Sequence, residues 1–117
     1  MQDRPTIKTA IPKGRYQIGD YSATLLSEIE SPDVRAYRFI LAFVPDGQRE
    51  PRFYVCSESA ADPSQPRLCH LRVVSETLSE IVDSDPRWAD ADIFAEQALE
   101  LGAQALGLSK QQIIKLL

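Results

Sequence analysis

Side chains that carry most enzyme chemistry are scarce in this chain: one histidine, His70, and two cysteines, Cys56 and Cys69, among 117 residues. One imidazole and two thiols without CxxC spacing make a poor zinc set, and neither a metal nor a cofactor is expected. Scattered cysteines in apolar, strand-like sequence behave as small reduced hydrophobes. A thiol nucleophile needs a base or cation beside it. Cys69 adjoins His70, but neighbours on a strand point to opposite faces; Cys56 can meet His70 only if their strands pair. Glycine is sparse too, and none sits in a phosphate-binding loop. Gly102 and Gly107 fall at or near helix ends, and there is no GxSxG elbow.

Long apolar runs are also missing. The longest is Phe39 to Val44, far short of the ~20 residues that cross a bilayer. Met1-Gln2-Asp3-Arg4-Pro5 leads into no apolar secretory region. The expectation is a soluble, cytoplasmic protein without membrane contact. Nor is there an excess of positive charge: 13 Lys/Arg face 17 Asp/Glu, a net charge of -4, which on average repels nucleic acid. The charge is unevenly spread. Residues 35–72 hold six arginines against four acids, whereas 73–117 hold three Lys/Arg against eight acids.

What remains is ordinary globular sequence, 44% hydrophobic and 26% charged, long enough for one core that buries roughly two-thirds of the unfolded surface. Residues 1–14, with Pro5, Pro12 and Gly14, read as an extended arm, and 15–117 as a single domain. Arg15 to Gly19 is a candidate short strand. Tyr21, Ala23, Leu25 and Ile29 then recur on one face of a strand. Ser31-Pro32-Asp33 is turn chemistry. Val34 to Val44 places Tyr37, Phe39, Leu41 and Phe43 on one face, and its far half is apolar on both, the mark of a central strand. Pro45-Asp46-Gly47 turns into a third strand, Arg52 to Glu58; residues 59–67 form a loop and Leu68 to Val74 a fourth strand. Connections this short require antiparallel neighbours.

After Val74 the period lengthens. Val74, Leu78, Ile81 and Val82 keep helical spacing, with Ser75 as a candidate cap. Asp85-Pro86 is a second helix start, followed by a stripe from Trp88 through Phe94, Ala98 and Leu99 to Leu106. Ser109 and Gln112 form a capping box for a last helix through Leu117. The sequence therefore predicts an α+β two-layer sandwich: an antiparallel meander of four to five strands over about residues 15–75, with two or three C-terminal helices packed on one face.

Three surfaces could carry function. If parity holds, the sheet face away from the helices collects Arg38, Arg52, Tyr54, Cys56, His70 and Arg72. Guanidinium forks there suit an anionic ligand or an acidic partner; the bland alternative pairs them across strands with Glu28, Glu30 and Glu58. At the C-terminus, Ala103-Gln104-Ala105-Leu106-Gly107-Leu108-Ser109 with Ile113 and Leu117 resembles the turn of a helix-turn-helix. That resemblance implies DNA contact by Lys110, Gln111, Gln112 and Lys115, although Glu96 and Glu100 make the preceding helix acidic. Finally, Ile113, Ile114, Leu116 and Leu117 cover more than one helical face and suit a homodimer contact. The leading expectation is a non-catalytic binding or interaction module. DNA binding and a small enzyme or anion binder on the arginine face are its rivals.

Overall fold

The computed structural model describes residues 1, 3–109 and 112–116. Its strands are β1 (Thr9–Ile18), β2 (Tyr21–Glu30), β3 (Tyr37–Pro45), β4 (Phe53–Ser59), β5 (Cys69–Ser75), β6 (Ser79–Asp85) and β7 (Ile113–Lys115). One helix, α1 (Ala91–Ala105), follows a 3-10 turn at Pro86–Ala89. All strand pairs are antiparallel, in one sheet of order β6-β5-β4-β3-β2-β1-β7. The first six strands are a plain meander, as connections too short for a parallel crossover dictate, and β3 stands at the centre of the sheet.

The strand and helix counts differ from expectation: seven strands rather than four or five, and one α-helix among the described residues rather than two or three. The short helix expected from the Ser75 cap to Asp83 does not form, and Ser79–Asp85 folds back on β5 as β6. A nine-residue helix there would be marginal, while the open edge of β5 offers a ladder of partners to a segment containing Ile81-Val82. The hairpin closes through Ser75 N–H donating to the Leu78 carbonyl at 2.8 Å. The expected C-terminal helix is replaced in the same way. Gln112 does reach back to the Ser109 N–H, at 2.9 Å, but the turn runs into β7, which pairs with Tyr16–Ile18 of β1. At the other end, six residues of the expected arm belong to β1, which begins at Thr9.

Two caps set the helix. Asp85 accepts from Arg87 N–H ahead of the 3-10 turn, and Asp90 accepts from Asp92 and Ile93 N–H at the start of α1. At the far end Gly107 adopts φ +69°. Leu108 N–H donates to Ala103 O and Gly107 N–H to Gln104 O, the reciprocal pair that satisfies the last carbonyls. The face α1 buries against β3 and β4 includes Phe94, Ala98 and Leu99. Phe39 stacks on Phe94 with ring centroids 5.7 Å apart. Gly102 permits this approach, because a β-carbon there would lie 2.2 Å from Phe43 Cζ.

The opposite face is not open. Residues 3–8 run across it as a strap: Pro5 is buried, and Met1 and Ile7 pack with Leu26 and Ile29 over Tyr37, Ile40, Tyr54 and Cys56. Ile29 thus lies on the strap side, not beside Ala23 and Leu25 as alternation predicts. Glu28 takes a positive φ of 48°, which breaks the period between them.

Candidate functional site

The expected arginine face does not form as one surface. A register shift between Tyr37 and Phe39 turns Arg38 to the helix side, where its Nε donates to the Ala89 carbonyl at 3.1 Å. Arg52 is exposed at the rim of a depression near the end of α1. Tyr54 is covered, and burial raises its hydroxyl pKa. Tyr54 and Cys56 lie together in the cluster under the strap, and Arg72 and His70 follow on the neighbouring strand. His70 pairs with Glu58 across β4 and β5, and its Nδ1 lies 2.7 Å from Ser84 Oγ. Cys56 pairs with Arg72 instead of His70; it is fully buried, and burial pushes its thiol far above the ordinary range.

Beneath the strap the structure builds a polar network that alternation alone could not locate. Glu58, 4% exposed, accepts from Arg72 Nε at 2.9 Å, with Arg35 Nε 3.9 Å away. Arg72 Nη1 donates to Ser79 Oγ at 3.2 Å. Arg35 Nη2 reaches the Asp3 carboxylate of the strap at 3.4 Å. A second knot ties the strap down: Asp33 accepts from Thr6 N–H at 2.9 Å and from Tyr37 Oη at 2.6 Å. These bonds hold its carboxyl below the usual range. Arg4 pairs with Glu50 at the other border of the strap. Asp3 lies in the segment read as an arm, Asp33 in the turn and Arg35 near the start of the strand read from Val34 to Val44, so their convergence was hidden in the sequence.

The second region is the outer edge of β6. β6 ends the sheet, and among the described residues no strand pairs with its outer side. Leu78, Ile81 and Val82 are 42%, 41% and 44% exposed. A shift in its pairing with β5 accompanies the turn of Val82 toward α1, where Phe53, Val73, Leu78, Val82 and Leu101 line a groove of about 290 Å³. A wider depression of about 540 Å³ continues it past Tyr21, Thr77 and Leu106. Between Val73 and Ser109 the chain carries eight acids and the single cation Arg87. Arg87 pairs with Asp83 and Asp85.

The C-terminal candidates change character. Lys110, Gln111 and Leu117 lie outside the described residues. Ile113–Lys115 are strand, so a recognition helix through Gln112 and Lys115 does not form. Ile114 and Leu116 are exposed. Among the described residues no three His, Cys, Asp or Glu are grouped to hold a metal ion, and no helix is long and apolar enough to cross a membrane.

These features define an α+β protein with a strapped antiparallel sheet. Comparison of the chain with known protein families, curated proteins and solved structures gives no match.

Proposed function

We propose that the protein is a non-catalytic interaction module that takes an extended, cationic segment of a partner protein along the free edge of β6. The observation that carries this reading is the unpaired outer side of β6 with Ile81 and Val82 exposed on it. An edge strand offers a row of backbone donors and acceptors, and strand addition uses them for affinity while side-chain pockets give specificity.

The other border of the sheet makes the contrast. β1 is blunted along its first half by Pro12, Lys13 and two register shifts, devices that discourage pairing. On β6 the protecting charges are acidic only, namely Glu80, Asp83 and Asp85. They choose the occupant. Two copies laid edge to edge along β6 would bring these acids into one strip, and such like-charge contact is unfavourable. A lysine- or arginine-bearing strand meets them favourably and can place apolar side chains over Leu78, Val82 and the adjoining groove.

The test is titration of the isotope-labelled chain with a lysine–valine alternating octapeptide and with its glutamate–valine counterpart. The cationic peptide is expected to shift the amide signals of 79–85, with affinity that falls as salt rises and is lost in Val82→Asp. Glu76→Lys/Glu80→Lys should weaken it and admit the acidic peptide. Equal binding of both peptides to the wild type, or shifts confined to other strands, would overturn the reading. Dimerisation through β6 seen by light scattering would replace it with self-association.

A further inference from the structure

We propose that the tip of the N-terminal strap is a tethered stand-in for a ligand: Asp3 fills an arginine–serine site that takes the carboxylate of a small acid when the tip moves aside. The site is separate from the β6 edge and does not rest on that reading.

Three observations carry it. First, the carboxylate of Asp3 lies in a position built for an anion. Arg35 Nη2 is 3.4 Å from Asp3 Oδ2, and Ser79 lines the same cavity as Asp3. Arg72 stands behind, donating through Nη1 to Ser79 Oγ. A guanidinium fork with a hydroxyl beside it is the usual recognition set for a carboxylate.

Second, the two arginines are preorganised by something other than Asp3. Glu58, almost wholly buried, accepts from Arg72 and lies near Arg35. Removing the Asp3 carboxylate therefore leaves the donors in place. Because Glu58 neutralises one of the two cations, the site left behind suits a single negative charge better than a dianion.

Third, there is room. A cavity of about 330 Å³ opens beside Asp3, lined by Met1, Ser75, Glu76, Thr77, Leu78 and Ser79, within the size range of small-ligand sites. Glu76 on its wall disfavours a second negative charge at that end, which again selects a monocarboxylate.

The latch is easily opened. The Asp3 side chain is 40% exposed, and an ion pair so open to solvent is screened and readily broken. The strap stays anchored further along by Pro5, Ile7 and the Thr6–Asp33 bond, so displacement involves the tip alone.

The experiment uses the full chain, isotope-labelled, with acetate as probe and inorganic phosphate as comparison, and follows the Nε–Hε signals of Arg35 and Arg72. Competition by the tethered carboxylate lowers apparent affinity by the fraction of time the site is free. Acetate is thus expected to shift the Arg35 signal saturably, about fivefold more tightly in Asp3→Ala than in the wild type. The response should vanish in Asp3→Ala/Arg35→Gln, whose remaining amide spectrum reports an intact fold. Phosphate should bind Asp3→Ala more weakly than acetate. Equal acetate affinities in wild type and Asp3→Ala, a linear non-saturating shift in Asp3→Ala, or a response that survives loss of Arg35 would each overturn the proposal. Tighter binding of phosphate would overturn its assignment to carboxylates.

Discussion

One face of the sheet is closed by a fifteen-residue helix capped at both ends, and the other by the extended chain of residues 3–8, tied down with charged and polar side chains. The difference follows from backbone chemistry. A helix satisfies its own N–H and C=O groups, so α1 needs little from the sheet except an apolar surface, and gets it from residues such as Phe39, Phe43 and Val55. An extended strap has no internal bonds, and backbone groups buried without partners are costly. It must find acceptors on the sheet. Thr6 N–H finds Asp33, and Lys8 N–H finds the Glu30 carbonyl at 2.8 Å. A face covered by a strap therefore carries polar groups that a helix-covered face does not. Here they have drawn in Glu58, Arg35 and Arg72.

Breaking the strap side at its most buried charge gives the largest expected effect. Glu58→Gln leaves Arg72 at the edge of the apolar layer without its anion and Arg35 with Asp3 alone, and loss of one partner of a buried pair costs about 3–5 kcal/mol. Arg35 and Arg72 keep 26% and 17% side-chain exposure, which places the expected loss at the lower end, about 3 kcal/mol. Urea unfolding checks it as a lowered midpoint. The double variant Glu58→Leu/Arg72→Met should recover most of the loss, since apolar groups of similar size replace buried ion pairs at little cost. A single-variant effect under about 1 kcal/mol would mean that the network is surface decoration, and the contrast between the faces would fail.

The helix side breaks by volume instead of charge. Gly102→Ala improves intrinsic helix propensity by about 1 kcal/mol, so propensity alone predicts stabilisation. The β-carbon, however, would fall 2.2 Å from Phe43 Cζ. Phe43 is wholly buried and in edge contact with Phe53, centroids 5.5 Å apart, so it has nowhere to retreat. Overpacking should win, with a net loss of about 1–3 kcal/mol read from the same unfolding curves. A gain in stability would show that α1 rides on the sheet more loosely than its contacts imply.

What the sequence disclosed divides along the same line. The helix side was legible because its rule is periodic: Phe39, Leu41 and Phe43 at strand spacing and Phe94, Ala98 and Leu99 at helical spacing do meet, and Gly107 and Ser109 mark true turns. The strap side was not. Its pieces, Asp3, Asp33, Arg35 and Glu58, are dispersed in sequence, and their meeting depends on how residues 3–8 travel. β6 and β7 were missed because segments of seven and three residues take their structure from the strand edge they meet, not from their own pattern. Leu78, Ile81 and Val82 fit a helical stripe as well as an edge strand. Arg38 was misplaced by a single irregularity, the shift between Tyr37 and Phe39, after which parity no longer reports the face. Of the expected arginine face, Tyr54, Cys56, His70 and Arg72 do lie on neighbouring strands on one side of the sheet, whereas the edge of β6 was not foreseeable.

The smallest expected effect is the most local one and sharpens the comparison at a single bond. The Thr6 N–H bond, together with the Tyr37 hydroxyl, holds the Asp33 carboxyl below its ordinary pKa. A carboxylate whose folded pKa is depressed contributes stability that is fully present above its unfolded value, about 3.9, and is lost as pH falls through the folded value. The Thr6 amide should thus show a hydrogen-exchange protection factor that is constant from neutral pH to about pH 4 and falls below it. Asp3, Asp62 and Asp85 are depressed as well, so a global acid midpoint would mix their contributions with that of Asp33. A single amide does not. Asp33→Asn keeps an acceptor oxygen for Thr6 and Tyr37 but removes the charge, and the difference between a charged and a neutral acceptor is about 1 kcal/mol. In that variant Thr6 protection should drop roughly fivefold at neutral pH and lose its dependence on acid, while amides of α1 stay unchanged. If α1 amides fell in step with Thr6, the two faces would open as one unit, and the strap could not release its tip while the helix stays in place.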